Sequence, residues 1–297
     1  MEELIFLSTI APANQTKKKM IYLVRHAEAI HNIKEREAVQ EEIAKGELCT
    51  HRHEKARKKV LECPSLRDAP LSYQGTLEAR RSSSQLSSLI KSGDSRYKPP
   101  QIVFVSPLRR ALMTATELFL SDENLTGAHP TPRFLAIEAL REKRTGLPCD
   151  ERCDVETLKA EFPHVDFSDV ERGLPAVPIG EDNVAVRERA RAFLEDILPL
   201  VQADFVALIS HKGWLRELRQ ALKGWVDEGR LKVDFDVHDW HQTLYHNAEI
   251  RVADFEWEQN VLTSIVSRSV DNAISSIVAC TAGEETGDWV SHYPVTP

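Results

Sequence analysis

An α/β fold with a mostly parallel central sheet and helices on both faces is what this 297-residue sequence predicts, on three observations. Short, uniformly apolar runs rich in Val and Ile recur along the chain, as strands do when both faces of a sheet are covered. Amphipathic helical patterns fall between them, giving a strand, helix, strand, helix rhythm. The apolar runs stop abruptly on Ser, Arg or His, and in open α/β sheets it is beyond the carboxyl ends of the strands that ligands bind.

Taken in order, the first run is "MIYLVRH" (20 to 26), preceded by a lead-in of about twenty residues that is only partly ordered in expectation. The segment 33 to 66 breaks the rhythm: heavily charged and sparsely apolar, it predicts two helices lying over the domain as an insertion, a cap. "QIVFVSP" (101 to 107) is the second run. After it, Leu108, Ala111, Leu112, Ala115, Leu118 and Phe119 form one helical stripe, with Ser106 placed to cap the helix and Pro107 to start it. "RFLAIEALRE" (133 to 142) is a weaker strand signal. The stretch 145 to 183 is turn-rich without a strong period and reads as a substrate-side loop region. Val186, Ala190, Phe193, Leu194, Ile197 and Leu198 form a second stripe, stopped by Pro199. "DFVALISH" (204 to 211) is the third strong strand, and Leu215, Leu218 and Leu222 mark the helix directly after it. "NAEIRVADFEW" (247 to 257) and "VLTSIVSR" (261 to 268) are expected to pair as antiparallel edge strands.

One domain over 1–297 with elaborations fits this length, and 42% hydrophobic with 28% charged residues marks a globular chain. A net charge of -8 argues against nucleic-acid binding through general phosphate neutralisation, which needs a basic face. The odd set Cys49, Cys63, Cys149, Cys153 and Cys280 does not form a secreted disulfide framework, and a reducing compartment is expected. The first residues carry acids before the apolar run and lysines after it, the reverse of a secretory signal, and no run is long enough to span a membrane. A cytoplasmic protein without membrane contact follows as the expectation. Cys49, His51, His53 and Cys63 lack paired zinc spacing, and His238, His241 and His246 show no metal pattern, although His241 or Tyr245 would border a site at the strand ends. No metal and no cofactor is expected.

At the strand ends the inventory is Arg25 and His26, then Ser106 with Arg109 and Arg110, then Glu142, then His211. Guanidinium groups, imidazoles and one carboxyl group suit a dianionic phosphate. The forked donors of Arg25 and Arg110 match phosphate oxygens, and both Arg109 and Arg110 lie off the apolar stripe of their helix. A neutral imidazole attacks phosphorus and carries the phosphoryl group, so His26 is the candidate nucleophile, kept unprotonated by neighbouring cations. His211 would donate to phosphoryl oxygens, and Glu142 would protonate the leaving alkoxide and later activate water.

These residues carry a resemblance. "RHAEAIHN", "LSYQGTLEAR", "SPLRRALMTA", "ALRE" and "SHKGWLR" are similar, in the same order, to the signature segments of the histidine phosphatase superfamily, the phosphoglycerate-mutase-like proteins, over residues 20 to about 216. The resemblance implies a phosphoglycerate-mutase-like fold, a phosphate pocket of Arg25, His26, Arg110 and His211, Asn32 at its rim, and Glu142 as proton donor. It singles out Arg110, directly before Ala111, over Arg109. Ala27 stands where glycine is commonest, and Lys212 replaces the first glycine after the second histidine, adding a cation on the phosphate side. The expected activity is metal-independent hydrolysis of a small-molecule phosphate monoester through a phosphohistidine. The alternatives are mutase-type phosphoryl transfer, whose Tyr-Gly, Lys- and Arg-rich loop is not matched by "REKRTGLPCDERCD", and a non-catalytic member that binds a phospho-ligand. The natural ester and the oligomeric state are not readable.

Overall fold

The computed structural model describes residues 16–46, 50–92, 97–121, 130–173, 177–236 and 244–268. Its strands are β1 (Lys17–Arg25), β2 (Ile102–Val105), β3 (Arg133–Ala136), β4 (Val165–Asp166), β5 (Phe205–Ser210), β6 (Lys232–Val233), β7 (Ile250–Glu258) and β8 (Val261–Ser267). They form one sheet in the order β4-β3-β2-β5-β1-β7-β8-β6. β1, β5, β2, β3 and β4 run parallel, β7 is antiparallel to β1, and β8 is antiparallel to β7. The mostly parallel α/β sheet is therefore as the apolar runs predict.

The helices are α1 (Ile30–Ala44), α2 (Thr50–Leu61), α3 (Tyr73–Lys91), α4 (Arg109–Phe119), α5 (Val155–Glu161), α6 (Ser168–Arg172), α7 (Asn183–Ala192) and α8 (Lys212–Asp227). Alternate residues of each central strand enter opposite cores. Ile21, Leu23, Phe104, Val206 and Leu208 pack against Val186 and Ala190 of α7 and Trp214, Leu215 and Leu218 of α8. Met20, Tyr22, Val24, Val103, Val105, Ala207 and Ile209 pack against Leu86 of α3 and Ala111, Leu112 and Ala115 of α4. Covering both faces is the physical cause of the uniformly apolar runs.

Three local expectations are corrected. Ser106 does not cap the helix after β2: α4 begins at Arg109, and no side chain of its cap residue Leu108 takes part. The orphan N–H of Arg109 goes instead to Asp68 Oδ1 at 2.8 Å, a residue from a distant loop. β7 is an interior strand and not an edge, because β1 takes its other side, while the edges are the two-residue β4 and β6. Between 193 and 200 the α7 pattern widens into a π-helical turn (Phe193–Ile197) and then a 3-10 turn at Pro199, whose ring cannot supply an N–H.

In the segment 33 to 66 the chain forms α1 and α2, which pack on each other. α1 buries His31 alone and α2 buries nothing, so both are solvated surfaces tied by Lys34–Glu37, Lys58–Glu62 and Arg57–Glu35 ion pairs. The turn-rich stretch after Glu142 folds into a 3-10 turn (Pro148–Asp150), α5, β4 and α6, each too short to leave a period in the sequence.

Candidate active site

Three adjacent parallel strands, β1, β5 and β2, deliver their last residues to one place. Arg25 is paired with Ser210 and Val105 with Ile209 in register, and the chain leaves the sheet with His26 N donating to Ser210 O at 2.9 Å and Ser106 N to Ile209 O at 3.0 Å. The sequence order β1, β2, β5 becomes the spatial order β2-β5-β1, so the crevice lies where the connections diverge. There the rings of His26 and His211 lie 4.9 Å apart between centroids, and His31 lies 6.4 Å from His26.

Hydrogen bonding fixes the two principal imidazoles as opposite tautomers. His26 Nδ1 is 2.7 Å from the carbonyl of Ala27, which only accepts, so Nδ1 carries the proton and Nε2 keeps its lone pair. His211 Nδ1 faces Arg110 Nε at 3.2 Å, and arginine only donates, so the proton of His211 is on Nε2 and goes to Ser106 Oγ at 2.7 Å. The Ser106 hydroxyl therefore serves the site, while also accepting the Leu108 N–H at 3.4 Å. Burial first, then the Arg110 and Arg25 guanidinium groups, holds His26 well below the usual imidazole range, and burial with Arg110 does the same to His211. Cations favour a neutral His26 as expected, but desolvation is the larger cause. Thr114 Oγ1 accepts the Ala27 N–H at 3.0 Å and donates to Arg110 O at 2.7 Å, locking the His26 turn onto α4.

Arg110 is fully buried, with Nη1 on Cys149 O at 2.6 Å and Nη2 at 3.4 Å from Asp150 Oδ1. Three of its five N–H groups are thus committed with the His211 contact, and the other two have no partner among the described residues. Asp150, whose carboxyl group burial pushes upward against the pull of Arg110, is held from its other oxygen by Thr145 Oγ1 at 2.6 Å. Arg25 gives Nη1 to Tyr245 O at 2.7 Å, while its buried Nε has no partner among the described residues; burial lowers this guanidinium to about 10, still charged at neutral pH. A cavity of about 330 Å³ adjoins it, lined among others by Glu28, Arg36, Glu78, Arg81 and Asn247.

Glu142 follows β3 and lies against the start of α8. Its Oε2 accepts Gly213 N–H at 3.1 Å and its Oε1 accepts Lys143 N–H at 2.9 Å. A Cβ at residue 213 would lie 2.2 Å from Glu142 Oε1, so only glycine leaves room for the carboxylate. The irregular backbone before Glu142 cannot satisfy its own carbonyls, and side chains do so instead. Buried Arg189 donates to Ala139 O at 2.8 Å, Arg141 O at 2.7 Å and Glu142 O at 3.2 Å while gripping Glu181 through Nε at 2.7 Å and Nη2 at 2.9 Å. Ser210 Oγ holds Leu140 O at 2.6 Å, and Trp214 Nε1 holds Ala139 O at 2.7 Å.

Arg25, His26, Arg110, Glu142 and His211 thus gather around one crevice. Arg109 does not: its guanidinium is committed to Glu161 at 2.9 and 3.2 Å, which corrects the expectation that it binds phosphate. Asn32 is committed on both ends of its amide, Oδ1 accepting Ala29 N–H at 3.0 Å and Nδ2 meeting His31 Nε2 at 3.1 Å, so it closes the start of α1. Lys212, the exposed first residue of α8, has its ammonium shifted down by desolvation first and by Arg25 and Arg57 next. Tyr245 borders the site through its carbonyl, whereas His238 and His241 lie outside the described residues. Sequence reasoning missed Asp150, Thr114, Glu181 and Arg189. Their signal is only tertiary: each is a polar residue in a loop or on a helix whose partner is far off in the chain.

A parallel α/β sheet that sets two neutral imidazoles, two guanidinium groups and a carboxylate at the ends of neighbouring strands defines a phosphate-handling protein centred on histidine. The chain belongs to the histidine phosphatase superfamily (branch 1), whose family model matches residues 51–264, a span that takes in Arg110, Glu142 and His211 and begins after Arg25 and His26. A phosphoglycerate mutase-like protein of Arabidopsis thaliana is 27% identical over 247 residues, covering 74% of this chain and 80% of that one. Among solved structures, mycobacterial glucosyl-3-phosphoglycerate phosphatase is 18% identical, with 82% of this chain and 95% of that chain covered and a TM-score of 0.43. Phosphoserine phosphatase of Entamoeba histolytica is also 18% identical, with 84% and 98% covered and a TM-score of 0.39.

Proposed function

We propose that this protein hydrolyses a small-molecule phosphate monoester through a phosphohistidine at His26, without a metal or cofactor. The observation that carries the reading is the tautomer of His26: with Nδ1–H held by the Ala27 carbonyl, the Nε2 lone pair is the nucleophile. Arg25 and the remaining N–H groups of Arg110 bind the phosphoryl oxygens, and His211 exchanges Ser106 for one of them. In the first step a bond forms from His26 Nε2 to phosphorus, the bond to the leaving oxygen breaks, and Glu142 gives that oxygen a proton. In the second, Glu142 takes a proton from water as its oxygen attacks phosphorus, the bond to Nε2 breaks, and inorganic phosphate leaves.

Hydrolysis is favoured over mutase chemistry by what happens to the cations after Glu142. Lys143 is paired with Asn183, and Arg144 with Glu151 and Val177 O, so neither is left over to grip a substrate carboxylate. We further propose that the α1–α2 pair and the segment 145 to 183 choose the ester, and that the protein works in the cytosol, apart from nucleic acid and membrane. The free thiols of Cys63, Cys149 and Cys153 fit that location, and among the described residues no helix is long and apolar enough to cross a membrane.

The test is an aryl phosphate assay on wild type and His26→Ala, with and without chelator, alongside acid-labile labelling with radioactive phosphate. Turnover should fall on the order of 10⁴-fold or more, the scale for loss of a nucleophile, and the label should vanish. Activity that survives the substitution removes the phosphohistidine, and activity abolished by chelator requires a metal.

A further inference from the structure

The third imidazole of the crevice, His31, has no part in the scheme above, yet its surroundings give it one. His31 is 7% exposed, on the first turn of α1, in a position where an apolar residue would pack at less cost. Its protonation can be read along a chain of hydrogen bonds. The Ala29 N–H must meet an oxygen, so the Asn32 amide is oriented with Oδ1 toward Ala29, at 3.0 Å. The other end of that amide is then the NH₂ group, a donor only, and it faces His31 Nε2 at 3.1 Å. Nε2 therefore accepts, and the proton of the neutral ring sits on Nδ1. Burial, followed by Arg110 and Arg25, lowers this imidazole to about 2, so it stays neutral and keeps that single proton throughout the working range.

Nδ1 is buried and has no hydrogen-bond partner among the described residues. A desolvated N–H left unpaired is destabilising, and native structures keep such groups where something else completes them. The groups around it say what that is. The ring stands 6.4 Å from that of His26 and shares the field of Arg25 and Arg110, both of which keep N–H groups without a partner among the described residues. Unpaired donors of three cationic or imidazole side chains converging on one crevice suit an anion there.

We propose that His31 Nδ1–H is a further phosphoryl-oxygen donor of this site, and that Asn32 acts through it by fixing the tautomer. The inference rests on the phosphate-pocket reading. It replaces the direct contact expected of Asn32, whose Oδ1 and one Nδ2 N–H are already bonded, with an indirect one.

The experiment measures inorganic phosphate binding in a His26→Ala background by titration calorimetry, where no turnover is needed. His31→Phe keeps a ring and removes the donor, whereas His31→Asn places an amide N–H near the position of Nδ1. His31→Phe should weaken phosphate about 10-fold and His31→Asn should recover most of the loss, the scale of one hydrogen bond to a charged group. In the wild type, imidazole nitrogen NMR should show His31 protonated at Nδ1 at neutral pH, with that resonance moving when phosphate is added. The proposal fails if His31→Phe binds phosphate within twofold of its parent, if both substitutions weaken it equally, or if the proton is found on Nε2. The NMR arm decides the matter even if the variants do not fold. Phosphate binding that depends on His31 while His26→Ala retains turnover would sink the phosphohistidine and leave this donor standing.

Discussion

The strand-end crevice and the α1–α2 pair sit side by side and are held by opposite means. In the crevice, His211, Arg110 and Arg189 are buried and bound to partners far away in the chain, and Glu181 holds both Arg189 nearby and the distant Arg144 N–H. On the helix pair, the charges are exposed and mostly tied to neighbours three or four residues on, as with Lys34–Glu37 and Lys58–Glu62. The first arrangement fixes positions because each of these bonds joins a donor to a desolvated acceptor that nothing else would satisfy. The second tolerates change, since exposed ion pairs contribute about 0–1 kcal/mol. A surface with that tolerance is where specificity can drift while chemistry stays put.

After the nucleophile His26, breaking the crevice should hurt most at Arg110. Replacing it with Gln should lower kcat/KM for an aryl phosphate by about 10²–10³, the scale of a lost transition-state donor. It should also reduce stability by about 3–5 kcal/mol, because Asp150 is left buried without its cation. Steady-state kinetics and urea melts check the two effects. Gly213→Ala separates position from fold more finely. The added methyl meets the end of the Glu142 side chain and not backbone, so kcat should fall about 10²-fold for an alkyl phosphate and much less for p-nitrophenyl phosphate, whose leaving group needs little help from an acid. Equal losses on both substrates would show that Glu142 is not the proton donor.

Acid sharpens the contrast further. His26, His31 and His211 are neutral in the fold with depressed pKa values, while in the unfolded chain they titrate near 6.5. Below that pH the unfolded state takes up protons that the folded state refuses. The stability is thus complete above about 6.5 and declines as pH falls, by up to about 1.4 kcal/mol per pH unit for each imidazole. Urea midpoints at pH 7.5 and pH 5 should show the decline, and His31→Asn should flatten it by about a third. The smallest effect belongs to the helix pair: Arg57→Gln, which removes the link to Glu35, should change stability by no more than about 1 kcal/mol. If it moves KM among phosphate esters while leaving kcat alone, α1 and α2 take part in choosing the substrate.

Most of the sheet was legible because its strands are covered on both faces, which writes an uninterrupted apolar run into the chain. Arg25, His26, Arg110, Glu142 and His211 were legible because each follows such a run or begins the helix behind it. Lys17 to Lys19 were not read as strand, since three lysines carry no apolar signal. In the fold Lys19 is buried, giving Nζ to the carbonyl oxygens of Val201 at 2.5 Å and Ala203 at 2.8 Å, and desolvation lowers it to about 8. Between Arg109 and Arg110 the local pattern was neutral, and the choice was made by Glu161 drawing one guanidinium outward while His211, Cys149 and Asp150 drew the other in. Ser106 carried the signature of a helix cap and serves an imidazole across the sheet.

By itself, the order of residues determined the parallel sheet, its helical layers and the chemical types that meet at the strand ends, because periodicity and chain punctuation are local properties. Which of those side chains face the crevice, which ring nitrogen holds each proton, and how the backbone before Glu142 is pinned were decided only in three dimensions. The contacts of His211 and of the backbone before Glu142 join donors and acceptors tens of residues apart, which leave no trace in the spacing of either, and even the neighbours that set the His26 and His31 protons, Ala27 and Asn32, act through ring orientations that only the folded chain fixes.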